Sequence, residues 1–165
     1  NLNLKVKFRE SFRPFAPAVI EEDLNDWFDS ETSNSYMLLV SNVKESKLIN
    51  NSVKSEGFDQ LNDKRSEIPA VTHVDNSARI QTVNEKSNKR FYELLKEFKK
   101  ITNVPILINT SFNIRGEPIV SSVEDAFRCF MGTNLDILVC ENYVILKKDN
   151  KSQKDVNYKD KFKLD

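Results

Sequence analysis

The chain has 165 residues, of which 39% are hydrophobic and 30% charged, with 25 basic and 25 acidic side chains. This length suits one domain with its own core, and zero net charge gives no global reason to bind nucleic acid or an anionic membrane. No apolar run reaches the roughly 18 residues of a membrane span, so we expect a cytoplasmic protein without a membrane partner. Cys129 and Cys140 lie in apolar patterns and are expected to be buried and reduced. The chain begins at Asn1 rather than Met, which suggests an excised or processed piece.

The first forty residues predict short strands around one short helix. Residues 1–10 alternate apolar and basic side chains, which favours a strand, although the same residues also form i,i+4 pairs that suit a helix end. Two prolines in 13–20 exclude a helix and predict an extended, edge-like strand. Acidic residues open 21–28, where we expect a short helix, and the apolar run 36–40 predicts a strand.

Residues 41–66 lack any sustained periodicity and are rich in Asn, Ser, Lys and Glu. They predict a surface insertion, with one helical turn near Phe58 and Leu61. Order returns over 68–74, and the alternation of 78–83 predicts a half-buried strand.

The clearest helix is expected over 88–102, where the five apolar residues form one stripe. They are Phe91, Leu94, Leu95, Phe98 and Ile101. Residues 106–108 then form a short all-apolar run, typical of a strand buried on both faces. Together with the preceding strand, this helix resembles a βαβ unit.

A second helix is expected from about residue 122, with Ser121 or Ser122 as its N-cap and acidic residues in its first turn. Residues 137–146 carry the pattern of a β-hairpin. Residues 147–165 are almost devoid of apolar side chains and predict a frayed polar tail. These elements indicate an α/β or α+β fold, with one twisted mixed sheet and surrounding helices.

Several kinds of site are excluded or weakly supported by the residues present. His73 is the only histidine, and neither a C-x-x-C pair, a calcium loop nor a glycine-rich phosphate loop occurs, so no protein-bound metal is expected. A triad of Ser111, His73 and Asp75 is formally possible, but nothing places the serine on a nucleophile elbow.

Three polar clusters are not explained by packing. A basic cluster lies in the first 13 residues, a polar run follows the buried strand at 106–108, and a third segment contains the histidine. Ligands of open α/β sheets collect beyond the carboxyl ends of strands, and hydroxyl, amide and guanidinium donors suit phosphate. The alternative is a solvated basic face and an ordinary turn. The clusters are Lys5, Lys7, Arg9 and Arg13; 109–113 with Arg115; and 72–75 with Arg79.

Three long blocks carry a family resemblance. They are KFRESFRPFAP at 7–17, HVDNSARIQTV at 73–83 and NTSFNIRGEPIV at 109–120. In order and spacing they are similar to the C-terminal, YrdC-like domain of the NodU/CmcH carbamoyltransferases, and the resemblance covers 1–146. It implies a YrdC-like fold, with 147–165 outside the domain.

The resemblance also implies a function. Enzymes of this family O-carbamoylate small molecules, and their C-terminal domain binds ATP and carbamoyl phosphate to form carbamoyl adenylate. A metal-binding, ATPase-like N-terminal domain of the same polypeptide then passes the carbamoyl group to an acceptor hydroxyl. Magnesium would arrive with the ATP phosphates. Because that domain is not in this sequence, we expect this chain alone to bind ATP weakly and to transfer no carbamoyl group.

The residues that the resemblance implies fall into two sets. Threonylcarbamoyl-AMP synthase, which shares the YrdC-like fold, has a K-x-R pair and an S-x-N triplet around its nucleotide, and both spacings occur here. Lys7 and Arg9 are therefore expected to be catalytic. Substrate or nucleotide binding is expected of Arg13, Arg79, Asn109, Thr110, Ser111, Asn113 and Arg115.

Two departures from the family pattern are visible. Asn76 stands where the family usually has Gly, but Asn tolerates a left-handed turn. Val123 replaces a frequent Pro at a helix start, which costs little. Two other interpretations stay open: a non-catalytic nucleotide- or RNA-binding module, and a structural domain that only closes the active site of the missing half.

Overall fold

The computed structural model describes residues 2–49, 55–150 and 157–162. The chain divides into two compact units, which we name for their place in the sequence. The central unit is residues 14–110, and the flanking unit is residues 1–13 together with 111–165. Both contain helices and strands, which confirms the predicted α+β class. Within the described ranges, every helix is too short or too polar to cross a bilayer.

Five strands of the central unit form two small sheets. They are β1 (Ala16–Ile20), β2 (Val40–Asn42), β3 (Ser77–Arg79), β4 (Gln81–Val83) and β5 (Ile106–Asn109). In the larger sheet, β1 lies between β4, which is parallel to it, and β5, which is antiparallel. In the smaller sheet, β2 and β3 pair in antiparallel fashion.

Two α-helices accompany these sheets. They are α1 (Leu24–Trp27), which continues a 3-10 turn at Glu21–Asp23, and α2 (Lys89–Thr102). Further 3-10 turns cover Glu45–Lys47, Gly57–Asn62 and Pro69–Val71. Helix α2 packs on the larger sheet because its apolar side faces β1 and β4. The resulting core contains Ala18, Ile20, Val83, Tyr92 and Leu95.

The described part of the flanking unit is built on one α-helix and one hairpin. A π-helical turn at Asn3–Lys7 comes first, and α3 (Val123–Gly132) follows after the chain returns to this unit. Strands β6 (Ile137–Cys140) and β7 (Tyr143–Leu146) form the hairpin. Two 3-10 turns, at Lys147–Asp149 and Tyr158–Lys161, complete the described part. Residues from α3 and the hairpin pack together around Phe130, Met131 and Leu138.

Several sequence predictions are confirmed. Helix α3 begins after a Ser122 cap, as expected, and α2 lies where its periodicity predicted a helix, with Asn88 as its cap. The hairpin, the short helix after β1 and the turn at Gly57–Asn62 also lie where they were expected. Asn76 has a φ of 65°, so the left-handed turn expected at this position is present.

The N-terminal predictions need two corrections. Of the expected strand 1–10, the described residues 2–10 do not form one, because Phe8 adopts a left-handed conformation and its N–H closes a π-turn on the Asn3 carbonyl. Strand β1 is central rather than edge-like. Its pairing with β4 starts only at Ala18, so Pro17 precedes the parallel ladder and interrupts none of its hydrogen bonds.

Three further strand predictions are wrong in part. Tyr36, in the expected strand 36–40, is 84% exposed, and pairing begins only at Val40. The expected strand 78–83 is divided between β3 and β4, which belong to different sheets. Strand β5 is an edge strand on which Ile108 is exposed, and it runs opposite to β4, so α2 does not complete a parallel βαβ unit.

The stripe predicted for α2 is also partly wrong. Leu95 is fully buried, but Leu94 is 56% exposed and Ile101 is exposed as well, while Tyr92 takes a place in the core. The buried side of the helix is therefore rotated towards Tyr92. Because a three-stranded sheet covers a narrow face, the outer members of a wide stripe stay in solvent.

The predicted insertion and the predicted tail are both partly anchored. Of 41–66, residues 50–54 lie outside the described residues, while Val43 and Ser66 are buried near the two ends. That the segment is an insertion stays a prediction. Of 147–165, residues 151–156 and 163–165 lie outside the description, but Tyr158 is 2% exposed, so a frayed tail is wrong at this point.

Candidate functional site: a buried lysine and a polar loop

The flanking unit brings together two segments that are about a hundred residues apart in sequence. The Nζ atom of Lys7 donates to the Ser111 carbonyl at 2.7 Å and to the Asn113 carbonyl at 2.7 Å. It also lies 2.9 Å from the Asn113 side-chain oxygen and 3.4 Å from the Ser111 hydroxyl. The two residues bind each other as well, since the Ser111 hydroxyl donates to the Asn113 side-chain oxygen at 2.6 Å.

The π-helical turn explains why Lys7 points at this loop. Phe8 reverses the chain in a left-handed conformation, and the Lys7 carbonyl accepts a hydrogen bond from the Arg115 N–H at 3.1 Å. Backbone and side chain of Lys7 therefore both bind the segment 111–115. π-turns occur frequently at functional sites, where they redirect one side chain.

The environment of Lys7 is unusual for a lysine. Its residue surface is only 4% exposed. Burial, followed by repulsion from the Arg9 guanidinium, lowers the pKa of Lys7 from its usual 10.5 to about 8. At neutral pH the ammonium group is therefore mostly protonated, although its pKa lies closer to neutral pH than that of an exposed lysine.

Arg9 and Arg13 complete a group of three cations in one short segment. Burial and repulsion from Arg13 lower the pKa of Arg9, and Arg13 also acts on Lys7. The Nε atom of Arg9 donates to the Asn3 side-chain oxygen at 2.7 Å, and the Asn3 amide donates to the Arg13 carbonyl at 2.7 Å. Mutual repulsion of this kind is relieved by a bound anion, so the segment suits phosphate.

Arg115 has a carboxylate partner in the same unit. Its guanidinium lies 3.0 Å from the Glu10 carboxylate. The pKa of Glu10 is lowered by a hydrogen bond from its own backbone and, to a smaller degree, by Arg115 and Arg13. Arg115 can therefore contribute to anion binding only together with Glu10, whose negative charge offsets its own.

The remaining predicted site residues, Arg79, Asn109 and Thr110, belong to the central unit. Arg79 is the last residue of β3 and is exposed. Asn109 ends β5, and its amide donates to the Gln81 side-chain oxygen at 2.5 Å. The structure therefore brings Lys7, Arg9, Arg13, Ser111, Asn113 and Arg115 together in one unit and places these three in the other.

The histidine segment forms its own network in the central unit. The Ser77 hydroxyl donates to the Asp75 carboxylate at 2.6 Å, and His73 Nδ1 lies 2.9 Å from the same hydroxyl. These hydrogen bonds from Ser77 lower the pKa of Asp75. A catalytic triad runs from carboxylate to imidazole to serine, whereas here serine lies between the other two. The triad with Ser111 stays an untested alternative, because Ser111 belongs to the flanking unit.

Three residues of the flanking unit that contact the candidate site were not named as site residues by the sequence analysis: Asn3, Glu117 and Tyr158. Asn3 is buried and orients Arg9. Glu117 ends the turn that carries Asn113, and Tyr158 packs beneath it. Two aromatic residues in a polar tail, Tyr158 and Phe162, were the available signal for Tyr158. Glu117 lies within the block 109–120 that carries the family resemblance, and Asn3 had no signal beyond its place before the first block.

No protein metal centre is apparent in the described part of the chain. Across residues 2–49, 55–150 and 157–162, no group of three or more His, Cys, Asp or Glu side chains is arranged to hold a metal ion. Cys129 is buried and Cys140 half-buried, and both are free thiols. Burial raises the pKa of Cys129 to about 12, so this thiol stays protonated at neutral pH.

Comparison with known proteins identifies the family. The family described as Carbamoyltransferase C-terminus matches residues 1–147. The uncharacterized protein sll1178 of Synechocystis is 48% identical over 168 residues, covering 99% of this chain and 27% of that protein. Nodulation protein NolNO of Sinorhizobium fredii is 45% identical, covering 89% of this chain and 20% of that protein. Nodulation protein NolO of Bradyrhizobium diazoefficiens is 40% identical, with coverages of 89% and 24%.

This chain thus spans about a quarter of the length of these curated relatives. The family match extends over nearly nine tenths of its residues and includes both segments that meet at Lys7. The chain belongs to the carbamoyltransferase C-terminal domain family.

Proposed function

We propose that this chain is the adenylate-forming part of an O-carbamoyltransferase, binding ATP and carbamoyl phosphate. The observation that carries the proposal is the contact of Lys7 with Ser111 and Asn113. It joins the K-x-R pair to the S-x-N triplet, the two patterns expected around the nucleotide. Arg9 and Arg13 add positive charge beside them.

The proposed chemistry has three balanced steps. Hydrolysis of carbamoyl phosphate yields carbamate and inorganic phosphate. A carbamate oxygen then attacks the α-phosphorus of ATP, the bond to the β-phosphate oxygen breaks, and pyrophosphate leaves with the electron pair. An acceptor hydroxyl finally attacks the carbamoyl carbon, loses its proton and releases AMP. The second step gathers negative charge on phosphate oxygens, which fixed cations and hydrogen-bond donors stabilise.

The predicted site residues have the following places in this scheme. Lys7 and Arg9 would stabilise the charge that develops at the α-phosphate, and Arg13 would bind the outgoing pyrophosphate oxygens. Ser111 and Asn113 would donate to phosphate or ribose after exchanging their mutual hydrogen bond for the ligand. For Arg79, Asn109, Thr110 and Arg115, nucleotide or substrate binding remains a proposal. None of these roles requires a general base.

The last step would take place elsewhere in the polypeptide. The relatives are roughly four to five times longer than their match to this chain, and two of them are named as nodulation proteins. We propose that a metal-binding, ATPase-like N-terminal domain accepts the carbamoyl adenylate and supplies the acceptor site. Magnesium would enter with the ATP phosphates, since hard cations favour phosphate oxygens over a protein cage here.

Calorimetric titration with Mg-ATP tests the proposal on the whole 165-residue chain. Ser111→Ala removes an exposed hydroxyl and should weaken ATP binding about tenfold without affecting folding, because a hydrogen bond to a charged group contributes roughly 1.5–3 kcal/mol. Lys7→Ala should weaken it further. The matched control is Lys5→Ala, which removes an exposed lysine from the same π-turn.

Two results would contradict the proposal. Equal ATP affinity in wild type, Ser111→Ala and Lys7→Ala would move the nucleotide away from this loop. Robust carbamoyl transfer to a sugar or antibiotic hydroxyl by the isolated chain would refute the role assigned to the N-terminal domain. The expected result is measurable ATP binding and no transfer.

A further inference from the structure

Tyr158 lies outside the segment that matches the family, yet it is one of the most buried residues of the flanking unit. The family match ends at residue 147, and Tyr158 begins a 3-10 turn at Tyr158–Lys161. Its ring packs against Ile114 and Cys129 and meets the Phe162 ring edge-on, with centroids 5.4 Å apart.

The contact of this ring with α3 is unusually close. A Cβ atom at Gly132, the last residue of α3, would overlap the ring of Tyr158. Any residue larger than glycine at this position therefore requires the ring to move. The helix and the tyrosine are fitted to each other, which is not expected of a frayed tail.

The hydroxyl group of Tyr158 leads directly to the site. It donates to one oxygen of the Glu117 carboxylate, and the other oxygen accepts the Ile114 N–H at 2.8 Å. The Glu117 carbonyl accepts the Asn113 side-chain amide at 2.7 Å, and Asn113 in turn binds Lys7. Four residues thus form one continuous chain of hydrogen bonds from Tyr158 to the buried ammonium group.

The turn between Asn113 and Glu117 needs this support. Gly116 has a φ of 78°, a conformation that favours glycine, and the turn is closed by one backbone bond from the Glu117 N–H to the Ile114 carbonyl at 3.2 Å. The Glu117 carboxylate closes the turn a second time by accepting a hydrogen bond from the Ile114 N–H. Burial, followed by the bond to Glu117, raises the pKa of Tyr158, so the hydroxyl keeps its proton and remains a donor at ordinary pH.

We propose that Tyr158 is a positioning residue for the ATP site: by holding Glu117, it fixes the loop 111–117 around Lys7. A segment beyond the family domain thereby sets the geometry of a motif inside it. The inference rests on the proposed function for its activity readout, although the hydrogen-bond chain itself does not. The relatives differ in how much of this chain they match: sll1178 covers 99% of it, whereas the two nodulation proteins each cover 89%.

Tyr158→Phe in the full chain deletes the hydroxyl and keeps the ring, and Tyr143→Phe makes the same change at an exposed position of β7. Two readouts need no nucleotide: exchange protection of the Ile114 amide, and the pKa of Lys7 followed by NMR of its ε-carbon. In Tyr158→Phe we expect the protection to fall about tenfold and the pKa of Lys7 to move from about 8, with neither change in Tyr143→Phe. Unchanged protection and an unchanged pKa of Lys7 would overturn the inference.

A double-mutant cycle tests the path through Glu117. Tyr158→Phe should weaken ATP binding about fivefold or more, the usual size of a coupling between sites, and less than twofold in a Glu117→Gln background. Additive effects would overturn the path. Absence of ATP binding in the wild type would refute the proposed function, and the two nucleotide-free readouts would then decide the role of Tyr158.

Gly132→Ala gives an independent variant that leaves the tyrosine hydroxyl in place. The added methyl group should displace the ring and reproduce the loss of Ile114 protection seen in Tyr158→Phe. Full protection of Ile114 in a folded Gly132→Ala protein would show that the position of the ring does not control the loop, and would contradict the proposal.

Discussion

The two compact units bury different kinds of side chain. Beneath α2 the core of the central unit packs Ala18, Ile20, Val83 and Leu95 with the ring of Tyr92, whose hydroxyl donates to the exposed Glu22 carboxylate at 2.8 Å. The flanking unit buries Ile114 beside groups that can ionise or donate hydrogen bonds, namely Lys7, Cys129 and Tyr158. An apolar core contributes stability that does not depend on pH, whereas a core with ionisable groups couples folding to protonation. The candidate site belongs to the second kind.

This difference supports placing the proposed chemistry in the flanking unit. The Lys7 ammonium group is buried and held by four oxygens, so its position is restrained, and its pKa of about 8 is close to neutral pH. Sites that bind phosphate use this combination because positioning and local charge both act on the ligand. The central unit also buries polar side chains, such as Thr82 and Asp23, but no buried lysine is found among its described residues.

The largest expected effect is in the apolar core. Leu95→Ala removes a fully buried side chain and should destabilise the protein by about 2–5 kcal/mol, with little dependence on pH. Leu94→Ala is the matched control, because Leu94 is the neighbouring residue on α2 and its surface is 56% exposed. Surface substitutions usually change stability by only about 0.5 kcal/mol. Urea denaturation measures both. Equal losses would mean that α2 packs through a different face.

A pH-dependent effect is expected in the flanking unit. Lys7 has a folded pKa of about 8, below its usual 10.5, so between these values the unfolded chain binds more protons than the folded one. Stability conferred by neutral Lys7 therefore rises with pH across this window, and the cost of burying its charge is present below it. Relative to Lys7→Met, wild type should gain up to about 1.4 kcal/mol per pH unit.

The test is denaturation of wild type and Lys7→Met at several pH values between 7 and 10.5. Lys5→Met serves as the control, because Lys5 is exposed in the same π-turn. Parallel stability curves for wild type and Lys7→Met would show that the lysine titrates normally. They would also remove the contrast between the two cores.

Much of the fold could be predicted because its signals are local. The signals of α2 and α3 are the periodicity of the helix residues and, for α3, the Ser122 cap directly before the first turn. The hairpin is specified by ten consecutive residues. The errors concern the environment of an element. Alternation in 1–10 could not show that Phe8 adopts a left-handed conformation, and two prolines in 13–20 could not show that β1 has neighbours on both sides.

The site was predictable only in part for the same reason. The spacing of Lys7 with Arg9 and of Ser111 with Asn113 is local, and the family resemblance joined the two pairs. The roles of Glu117 and Tyr158 depend on a contact across 41 residues, which leaves no periodic pattern in the sequence. The alternation of apolar and basic residues in 1–10 gave no sign that the Lys7 side chain is buried.

The smallest expected effect compares one local device in both units. Asn88 caps α2 by accepting from the Phe91 N–H at 3.2 Å, and Ser122 caps α3 by accepting from the Asp125 N–H at 3.1 Å. Both caps are exposed, so Asn88→Ala and Ser122→Ala should each cost about 1 kcal/mol.

The Ser122 cap carries a second, site-specific signature. Its hydroxyl group is the main cause of the lowered pKa of Asp125, so Ser122→Ala should raise that pKa towards its usual value, which an NMR titration of Asp125 would follow. With a lowered folded pKa, Asp125 contributes stability above its unfolded pKa that is lost as the pH falls, and the variant should lose this acid dependence. Because Asp125 adds to the cost of Ser122→Ala, the comparison with Asn88→Ala is made in an Asp125→Asn background, where a cost for Ser122→Ala that is still well above that for Asn88→Ala would show that the start of α3 is coupled to the polar core. Equal costs would confine that coupling to Lys7, Glu117 and Tyr158, where the hydrogen-bond chain places it.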